Sequence, residues 1–427
     1  MDDFRLHSIS TQNYRNLSLC NTIDLSNLNI FIGPNGSGKS NALSVLEFLR
    51  NCIIGQSDES QTISQFDNAV AKLGGAKMLD KTMPRPNEVS FQYNFDQFRD
   101  LPKGLTLDLS MYIISKDSKV SISKESLHDF ISRQQAQPFY YYKYHDIHAG
   151  EGVVSVWNDE YEQSSHFERV QNVPTDSLGL VTLYKLLEES KNPPERTPIY
   201  KRRRQLMEFI NRWYFYNANY MNLEQIRASE PKIGLSDIFL SPSGHNLALV
   251  IYNLVQKDIN FEDSLNYAMK SILPNTRRVR PIIAGLNSLN LEWYFDNIHE
   301  PFYLNEMSDG TVRMLCWAAI LLSPVLPSLL IIDEPELSIH TAWMPILAEW
   351  IKKASRRTQL VICTHSPDLL DNFTDSAENV LAFTLSDTEH NVCRRLALNT
   401  LEEKIAEGWK LGDLYRVGDP LIGGWPW

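Results

Sequence analysis

The sequence of 427 residues is poor in cysteine and has no excess of positive charge, and both features limit its function. Its five cysteines are scattered without a paired spacing, which suits a reducing compartment better than a disulfide-linked secreted domain. The formal net charge of −11 argues against a basic surface, so any nucleic-acid contact has to come from local patches. The basic runs at 201–204 and 277–280 are such patches, although short charge runs are usually solvated faces.

The sequence also leads us to expect neither a secretory leader nor a membrane-spanning helix. The first residues contain no apolar stretch of the kind that a secretory signal requires. Residues 314–332 carry no charge for 19 positions, but Pro324 and Pro327 interrupt them and Asp333 and Glu334 follow them. This pattern predicts a buried helix, a turn and a buried parallel strand. We therefore expect a cytoplasmic protein without a membrane contact.

Strand and helix patterns alternate along most of the chain. Period-two runs from 87 to about 158 predict antiparallel strands, and residues from about 165 to 275 are helical in pattern. Strand signals return at 280–304, and four further segments predict buried strands: 28–32, 328–332, 359–363 and 380–385. Strands separated by helices predict an α/β fold with a mostly parallel core sheet. Sustained heptads are missing, which argues against a long coiled-coil arm.

Residues 33–40, GPNGSGKS, follow a predicted strand and precede a predicted helix at 40–50. This pattern is typical of a loop that holds phosphate groups, because its glycines let backbone N–H groups converge on them. The following helix adds its positive N-terminal end. We expect Lys39 to contact the β- and γ-phosphates of a nucleotide and the Ser40 hydroxyl to bind Mg²⁺.

Two carboxylates and a histidine follow the later predicted strands. Asp333 and Glu334 end the strand at 328–332, which delivers them to the carboxyl edge of the sheet, where ligands of open α/β sheets bind. We expect Asp333 to hold the Mg²⁺ shell and Glu334 to orient or deprotonate the attacking water. His365 follows the strand at 359–363, and a γ-phosphate contact or a structural role are its two alternatives.

The order of these residues resembles a known family. With residues 308–311, SDGT, the chain is similar to ABC ATPases, which have a Walker A loop, a signature, a Walker B strand and a switch histidine in this order. Residues 34–41, PNGSGKSN, and 13–16, NYRN, resemble the SMC, RecF and OLD branch of that superfamily. The segments 333–340, DEPELSIH, and 411–415, LGDLY, are similar to compact bacterial ATPases of the branch.

The resemblance implies an α/β P-loop NTPase fold, namely an ABC ATPase head with an antiparallel β subdomain and a helical subdomain. Along the chain it implies three parts. Residues 1–165 form an ATPase lobe with Walker A and the antiparallel segment, 166–275 a helical insertion, and 276–427 a lobe with the signature, Walker B and the switch histidine.

The resemblance also implies a composite ATP site, in which Ser308 and Gly310 of one subunit contact ATP held by the other. The active unit is then a homodimer or larger homo-oligomer. Arg313 does likewise or braces the signature loop. The catalytic residues implied are Lys39, Glu334 and His365, and Mg²⁺ binds to Ser40 and Asp333. The remaining nucleotide-binding residues are Gly33, Asn35, Gly36, Ser37, Gly38, Lys39, Ser40, Asn41 and Arg15.

Two features leave alternatives open. Transporter-type relatives have a glutamine loop between Walker A and the signature, and here Gln61, Gln65 and Gln92 compete for that place. The molecule on which the ATPase acts is also unspecified. The acidic residues after His365 are scattered and indicate no built-in nuclease. The leading hypothesis is an ATPase that acts as a sensor or scaffold for a separate effector protein, in bacterial antiphage defence. The alternative is a DNA-binding repair or recombination ATPase of the RecF/SMC type.

Overall fold

The computed structural model describes residues 4–17, 22–54, 64–82, 87–97, 104–114, 119–129, 138–148, 151–157, 167–188, 198–385 and 391–423. The described strands are β1 (Leu6–Gln12), β2 (Ile23–Asp24), β3 (Leu28–Ile32), β4 (Glu88–Phe95), β5 (Leu105–Ile114), β6 (Lys119–Asp129), β7 (Tyr140–His148), β8 (Glu151–Trp157), β9 (Phe167–Pro174), β10 (Trp213–Asn217), β11 (Thr276–Ala284), β12 (Ser288–Phe295), β13 (Phe302–Tyr303), β14 (Leu329–Asp333), β15 (Gln359–Cys363), β16 (Val380–Leu385) and β17 (Asn391–Arg395). The described α-helices are α1 (Lys39–Ile54), α2 (Gln65–Lys72), α3 (Gly179–Glu188), α4 (Pro198–Asn211), α5 (Leu223–Ala228), α6 (Leu247–Lys257), α7 (Ile259–Ile272), α8 (Asp309–Leu321), α9 (Met344–Ser355), α10 (Pro367–Leu370), α11 (Leu398–Ala406) and α12 (Leu411–Arg416).

The chain divides into two compact units whose sequences interleave. The first unit consists of Met1–Ser26, Pro34–Trp213 and Phe383–Arg394. The second unit consists of Asn27–Gly33, Tyr214–Ala382 and Arg395–Trp427. The chain therefore passes between units directly after Gly33, inside the glycine loop.

The first unit contains an eight-stranded sheet in the order β2-β1-β4-β5-β6-β7-β8-β9. Its neighbouring strands pair antiparallel, as the period-two pattern predicted, with Phe91 opposite Leu109 on β4 and β5. Helix α1 packs on this sheet, because the ring of Phe48 lies 5.6 Å from that of Phe91. The Tyr93 hydroxyl also donates to the Val45 carbonyl at 2.9 Å. The helix that follows the glycine loop is thus anchored on the antiparallel sheet.

The second unit is built on parallel strands of a six-stranded sheet, whose strand order is β10-β14-β15-β3-β16-β17. Strand β15 pairs parallel with β14 on one side and with β3 on the other, and β3 also pairs parallel with β16. Every residue of β3 and β15 is buried, which explains why both read as continuous apolar runs. The strands predicted at 28–32, 359–363 and 380–385 have these bounds in the structure, and the α/β prediction is confirmed.

The uncharged run at 314–332 divides as the sequence predicted. Its first part belongs to α8, in which Gly310 to Leu321 are all buried, and its last part to β14. The Trp317 indole N–H donates to the Pro335 carbonyl at 2.9 Å, which fixes α8 beside the end of β14. Among the described residues, no helix is both long enough and apolar enough to cross a membrane.

The helical prediction for 165–275 was wrong at two places. Strand β9 occupies Phe167–Pro174 and pairs antiparallel with β8 in the first unit. Strand β10 occupies Trp213–Asn217 and neighbours β14. Aromatic side chains favour strands because they pack well on a pleated surface, and the run WYFY in β10 carries this signal.

Candidate functional site

The glycine loop adopts a conformation that other residues rarely enter. Gly36 and Gly38 have φ angles of +78° and +98°, and α1 begins directly afterwards at Lys39. The Lys39 side chain is buried, with 4% of its surface exposed. Its ammonium donates to the Pro34 carbonyl at 3.0 Å and lies 3.5 Å from the Ser37 hydroxyl. The loop thus curls around the lysine that was predicted to contact phosphate.

Two asparagine amides hold the tip of the loop. The carbonyl of Gly36 accepts from Asn16 Nδ2 at 2.6 Å and from Asn391 Nδ2 at 3.1 Å. The backbone N–H of Asn391 donates to the Asn16 carbonyl at 3.0 Å, so the two asparagines also hold each other. A Cβ at Gly38 would lie 2.8 Å from the Leu17 side chain and 3.2 Å from Asn391 Nδ2. Gly38 is therefore matched to this brace.

Arg15 and Asn41, which were predicted to bind nucleotide, extend the brace. Asn41 donates to Asn16 Oδ1 and accepts from Arg15 Nη1, each at 2.6 Å. The other terminal nitrogen of Arg15 donates to the Leu73 carbonyl at 2.6 Å. The side chains of Arg15 and Asn41 thus contact each other and the loop support, and their contact with nucleotide stays a prediction. Asn35 and Ser40, by contrast, are exposed.

The motifs of the second unit leave the parallel sheet at one edge. In the register, Cys363 at the end of β15 pairs with Asp333 of β14 and with Phe31 of β3. The next residues along these strands lead into Gly33, Glu334 and the histidine segment. Because the strands are parallel and adjacent, the three chains emerge side by side at the carboxyl edge, as the sequence predicted.

Two asparagines that the sequence did not single out bind the two Walker B carboxylates. Asn217 Nδ2 donates to Asp333 Oδ2 at 2.8 Å, and Asn219 Nδ2 donates to Glu334 Oε2 at 2.6 Å. Glu334 has a left-handed backbone with φ +53°, which is rare for a residue with a side chain. Its N–H donates to the Cys363 carbonyl at 2.8 Å, which helps to hold this turn. The carboxylates are thus oriented by neutral donors.

Glu336 holds the segment that carries the switch histidine. Its Oε1 atom accepts from the Thr364 hydroxyl at 2.7 Å and from the His365 backbone N–H at 2.9 Å. Its Oε2 atom is buried and has no hydrogen-bond partner among the described residues. Burial raises the pKa of Glu336 above its ordinary value, against the hydrogen bonds, which lower it. The Walker B turn and the histidine segment are therefore joined by a carboxyl group.

The LGDLY segment closes the same edge from the C-terminal side. The Tyr415 hydroxyl donates to the Gly33 carbonyl at 3.1 Å, and burial raises the pKa of that hydroxyl. Gly412 donates to Asp371 Oδ1 at 2.8 Å, and a Cβ at this position would lie 2.1 Å from the Pro367 carbonyl. Only glycine fits here, so α12 packs directly on the start of α10.

The signature residues begin α8. Ser308 is exposed and caps the helix, accepting from the Thr311 N–H at 3.4 Å. Gly310 is buried, and a Cβ there would lie 2.8 Å from the Ser338 carbonyl. In this structure Gly310 permits the start of α8 to approach the Ser338 backbone of the same chain closely. Arg313 is also buried and donates to the Ala218 carbonyl, which agrees with the bracing alternative.

The predicted magnesium ligands suit that ion in their chemistry. Ser40 offers an exposed hydroxyl in the first turn of α1, and Asp333 offers a half-buried carboxylate at the end of β14. Both are oxygen donors, which Mg²⁺ prefers. The described residues contain no cluster of three or more His, Cys, Asp and Glu side chains that would hold a metal alone. Mg²⁺ is usually held by one or two protein groups together with substrate phosphates.

Two of the three glutamines that compete for the glutamine-loop position lie among the described residues. Gln61 lies outside the described residues. Gln65 begins α2, and Gln92 lies within β4, where its amide donates to Asp108 at 2.8 Å.

The basic run at 277–280 is partly neutralised by its own unit. Arg278 pairs with Glu262 at 2.6 Å and Arg280 with Glu292 at 3.4 Å. In the run at 201–204, Arg203 donates to the Leu180 carbonyl at 2.7 Å.

Comparisons with known proteins indicate the family and the fold of the chain. A family model described as "AAA domain, putative AbiEii toxin, Type IV TA system" matches residues 28–371. A structure of an SMC head bound to the C-winged helix domain of ScpA matches with a TM-score of 0.53 and 12% identity, covering 92% of this chain and 99% of that one. SMC heads from Thermotoga maritima (TM-score 0.43, 11% identity) and Pyrococcus furiosus (0.47, 11%) match over 92% and 95% of this chain and 99% of each of those chains. Among curated protein sequences, no match was found.

Proposed function

The chain belongs to the AbiEii-like AAA-domain family and has the fold of an SMC head, and on this premise we propose that it is a cytoplasmic ATPase that hydrolyses ATP to ADP and phosphate. The observation that carries the proposal is the shared edge of β3, β14 and β15. These adjacent parallel strands lead into Gly33, the Asp333-Glu334 pair and the His365 segment on one side of the sheet of the second unit.

The predicted site residues have chemistry that suits phosphoryl transfer to water. The backbone N–H groups of residues 36–40 and the Lys39 ammonium bind the phosphates, where opposite charge and the helix end favour them. Glu334 accepts a proton from the attacking water, and His365 donates a hydrogen bond to the γ-phosphate. Mg²⁺, when bound by Ser40 and Asp333, neutralises charge on the β- and γ-phosphates.

Dimerisation through composite sites is part of the proposal. Ser308 is exposed at the N-terminus of a helix of 13 residues, a position from which its hydroxyl and the helix end can face a phosphate of another subunit. The packing of Gly310 on Ser338 then positions Ser308, and Gly310 itself does not contact the nucleotide.

We further propose that a separate protein supplies the effector, in a defence or toxin–antitoxin setting. The family description supports this setting, and the acids near the C-terminus support a separate effector, because they serve other contacts. Asp368 pairs with Arg416, and Asp375 pairs with Lys352 at 2.9 Å. DNA repair is less supported, since Arg278 and Arg280 already pair with carboxylates.

Nucleotide binding and hydrolysis test the enzymatic part. We expect wild-type protein to release phosphate from ATP in the presence of Mg²⁺, and Lys39→Ala to abolish release and weaken ATP binding. Lys72→Ala, a change at an exposed lysine at the end of α2, is the matched control and should leave both unchanged. Binding that is equal in the Lys39 and Lys72 variants would contradict the assignment.

Affinity capture tests the effector. Glu334→Gln protein, tagged and expressed in its native host, should retain a stoichiometric partner protein when ATP is present. Lys39→Ala protein should lose that partner, because the closed state cannot form without nucleotide. Capture that is equal with both variants would contradict a nucleotide-dependent effector.

A further inference from the structure

The segment between β10 and the end of α5, residues 217–228, binds both Walker B carboxylates. Besides the side-chain bonds from Asn217 and Asn219, the backbone N–H of Ala218 donates to the Asp333 carbonyl at 3.1 Å. The bond from Asn219 occupies one oxygen of Glu334 and restricts rotation of its carboxylate. Asn219 is itself exposed, so this contact does not arise from core packing.

The same segment is fastened to the signature loop by two arginines. Arg227 on α5 donates to the Met307 carbonyl at 2.9 Å and to Asp309 Oδ1 at 2.6 Å. From the other side, Arg313 on α8 donates to the Ala218 carbonyl, midway between the two asparagines. Arg313 is 6% exposed, so this bond is sheltered from water and is hard to replace.

These contacts form one continuous path within the second unit. The path runs from the residues around the signature serine, through Arg227 and Arg313, to the segment 217–228 and from there to the carboxylate of Glu334. A general base must be held within a fraction of an ångström of its productive position, and a misplacement of about 1 Å costs roughly 100-fold in rate. Loosening the segment should therefore slow chemistry without removing a group that touches the nucleotide.

We propose that Asn219 is a positioning residue for Glu334, and that Arg227 and Arg313 hold it in place by tying its segment to the signature loop. The general base of a chain is thus oriented only while the signature loop of the same chain is in position. The inference rests on the proposed ATPase function, in which Glu334 is the base.

Steady-state kinetics test the positioning role. Asn219→Ala should lower kcat about 10- to 100-fold and leave KM and ATP binding unchanged. Asn219→Asp has the same shape but no donor and adds a repelling charge, so it should be at least as slow. Asn253→Ala is the matched control, because the Asn253 amide also donates two hydrogen bonds, to Leu235 and Asp237, on the same unit. A kcat within twofold of wild type for both Asn219 variants would overturn the proposal.

The arginine tethers are tested in the same assay. Arg227→Met and Arg313→Met should lower kcat, whereas Arg313→Lys, which keeps a donor, should recover part of it. Adding Arg313→Met to Asn219→Ala should lower kcat no further, since both changes free the same carboxylate. Arg357→Met is the control, because Arg357 also donates to two backbone carbonyls of the unit. Fully additive losses would overturn the tethering.

Hydrogen exchange separates failure of this inference from failure of the proposed function. In nucleotide-free protein, Arg227→Met and Arg313→Met should speed amide exchange in 217–219 and 333–336, and Arg357→Met should not. This result does not depend on hydrolysis, so it supports the tether even if wild-type protein releases no phosphate. Unchanged exchange in both arginine variants would overturn the tether even if the protein is an active ATPase.

Discussion

The clearest quantitative prediction compares two glycines of the phosphate loop, Gly36 and Gly38. Both have a positive φ angle, so alanine at either position costs about 1–2 kcal/mol in backbone free energy. At Gly36 the new Cβ would meet no atom within 4 Å. At Gly38 it would lie 2.8 Å from Leu17 and 3.2 Å from Asn391 Nδ2. Only the second change therefore disturbs the brace.

The extra cost at Gly38 follows from the hydrogen bonds that would be displaced. The amides of Asn16 and Asn391 each donate to the Gly36 carbonyl, and a hydrogen bond contributes about 0.5–1.5 kcal/mol. Gly38→Ala should thus destabilise by ~1–3 kcal/mol more than Gly36→Ala. In thermal unfolding this difference corresponds to roughly 2–4 °C per kcal/mol for a unit of about 200 residues. Equal midpoints for the two variants would refute the brace.

Three further predictions concern the second unit. Stability of the wild type should fall as pH rises from the ordinary pKa of a glutamic acid through the raised folded-state pKa of Glu336. Glu336→Gln should therefore gain stability relative to wild type over this rise in pH in urea unfolding, and a difference that stays constant with pH would contradict this. Gly310→Ala should lower the unfolding midpoint, because its Cβ meets the Ser338 backbone, and a midpoint equal to wild type would show that the packing is softer. Tyr415→Phe should cost about 1 kcal/mol through the lost bond to Gly33 and weaken ATP binding modestly; unchanged stability would remove α12 as a support of the loop.

The sequence predicted the parts of the site whose signal is local. The bounds of β3 and β15 and the positions of Asp333 and His365 follow from continuous apolar runs that end in polar residues. Such runs specify buried parallel strands because both faces of the sheet are covered. The residues at the carboxyl edge of the parallel sheet could therefore be predicted from the sequence.

The contacts that orient the site could not be predicted in this way. Asn219 lies 115 positions from Glu334, and Asn391 lies 355 positions from Gly36. A single asparagine gives no repeating pattern in the sequence. Its hydrogen-bond partner depends on which strands become neighbours in the fold. The aromatic run of β10 could have predicted a strand, but the surrounding helical pattern outweighed it. Glu336 stood in a recognised motif, and only its hydrogen bonds to Thr364 and His365 show which segment it holds.

The central claim is that two chains close on ATP. Size-exclusion chromatography with light scattering of Glu334→Gln protein tests it most directly. The variant should bind ATP with Mg²⁺, release almost no phosphate and elute as a dimer, while the same protein without nucleotide elutes as a monomer. Adding Ser308→Arg, which places a large side chain at the exposed cap of α8, should return the ATP-bound protein to a monomer. Phosphate release at the wild-type rate, or an ATP-saturated variant with an unchanged mass, would contradict the account.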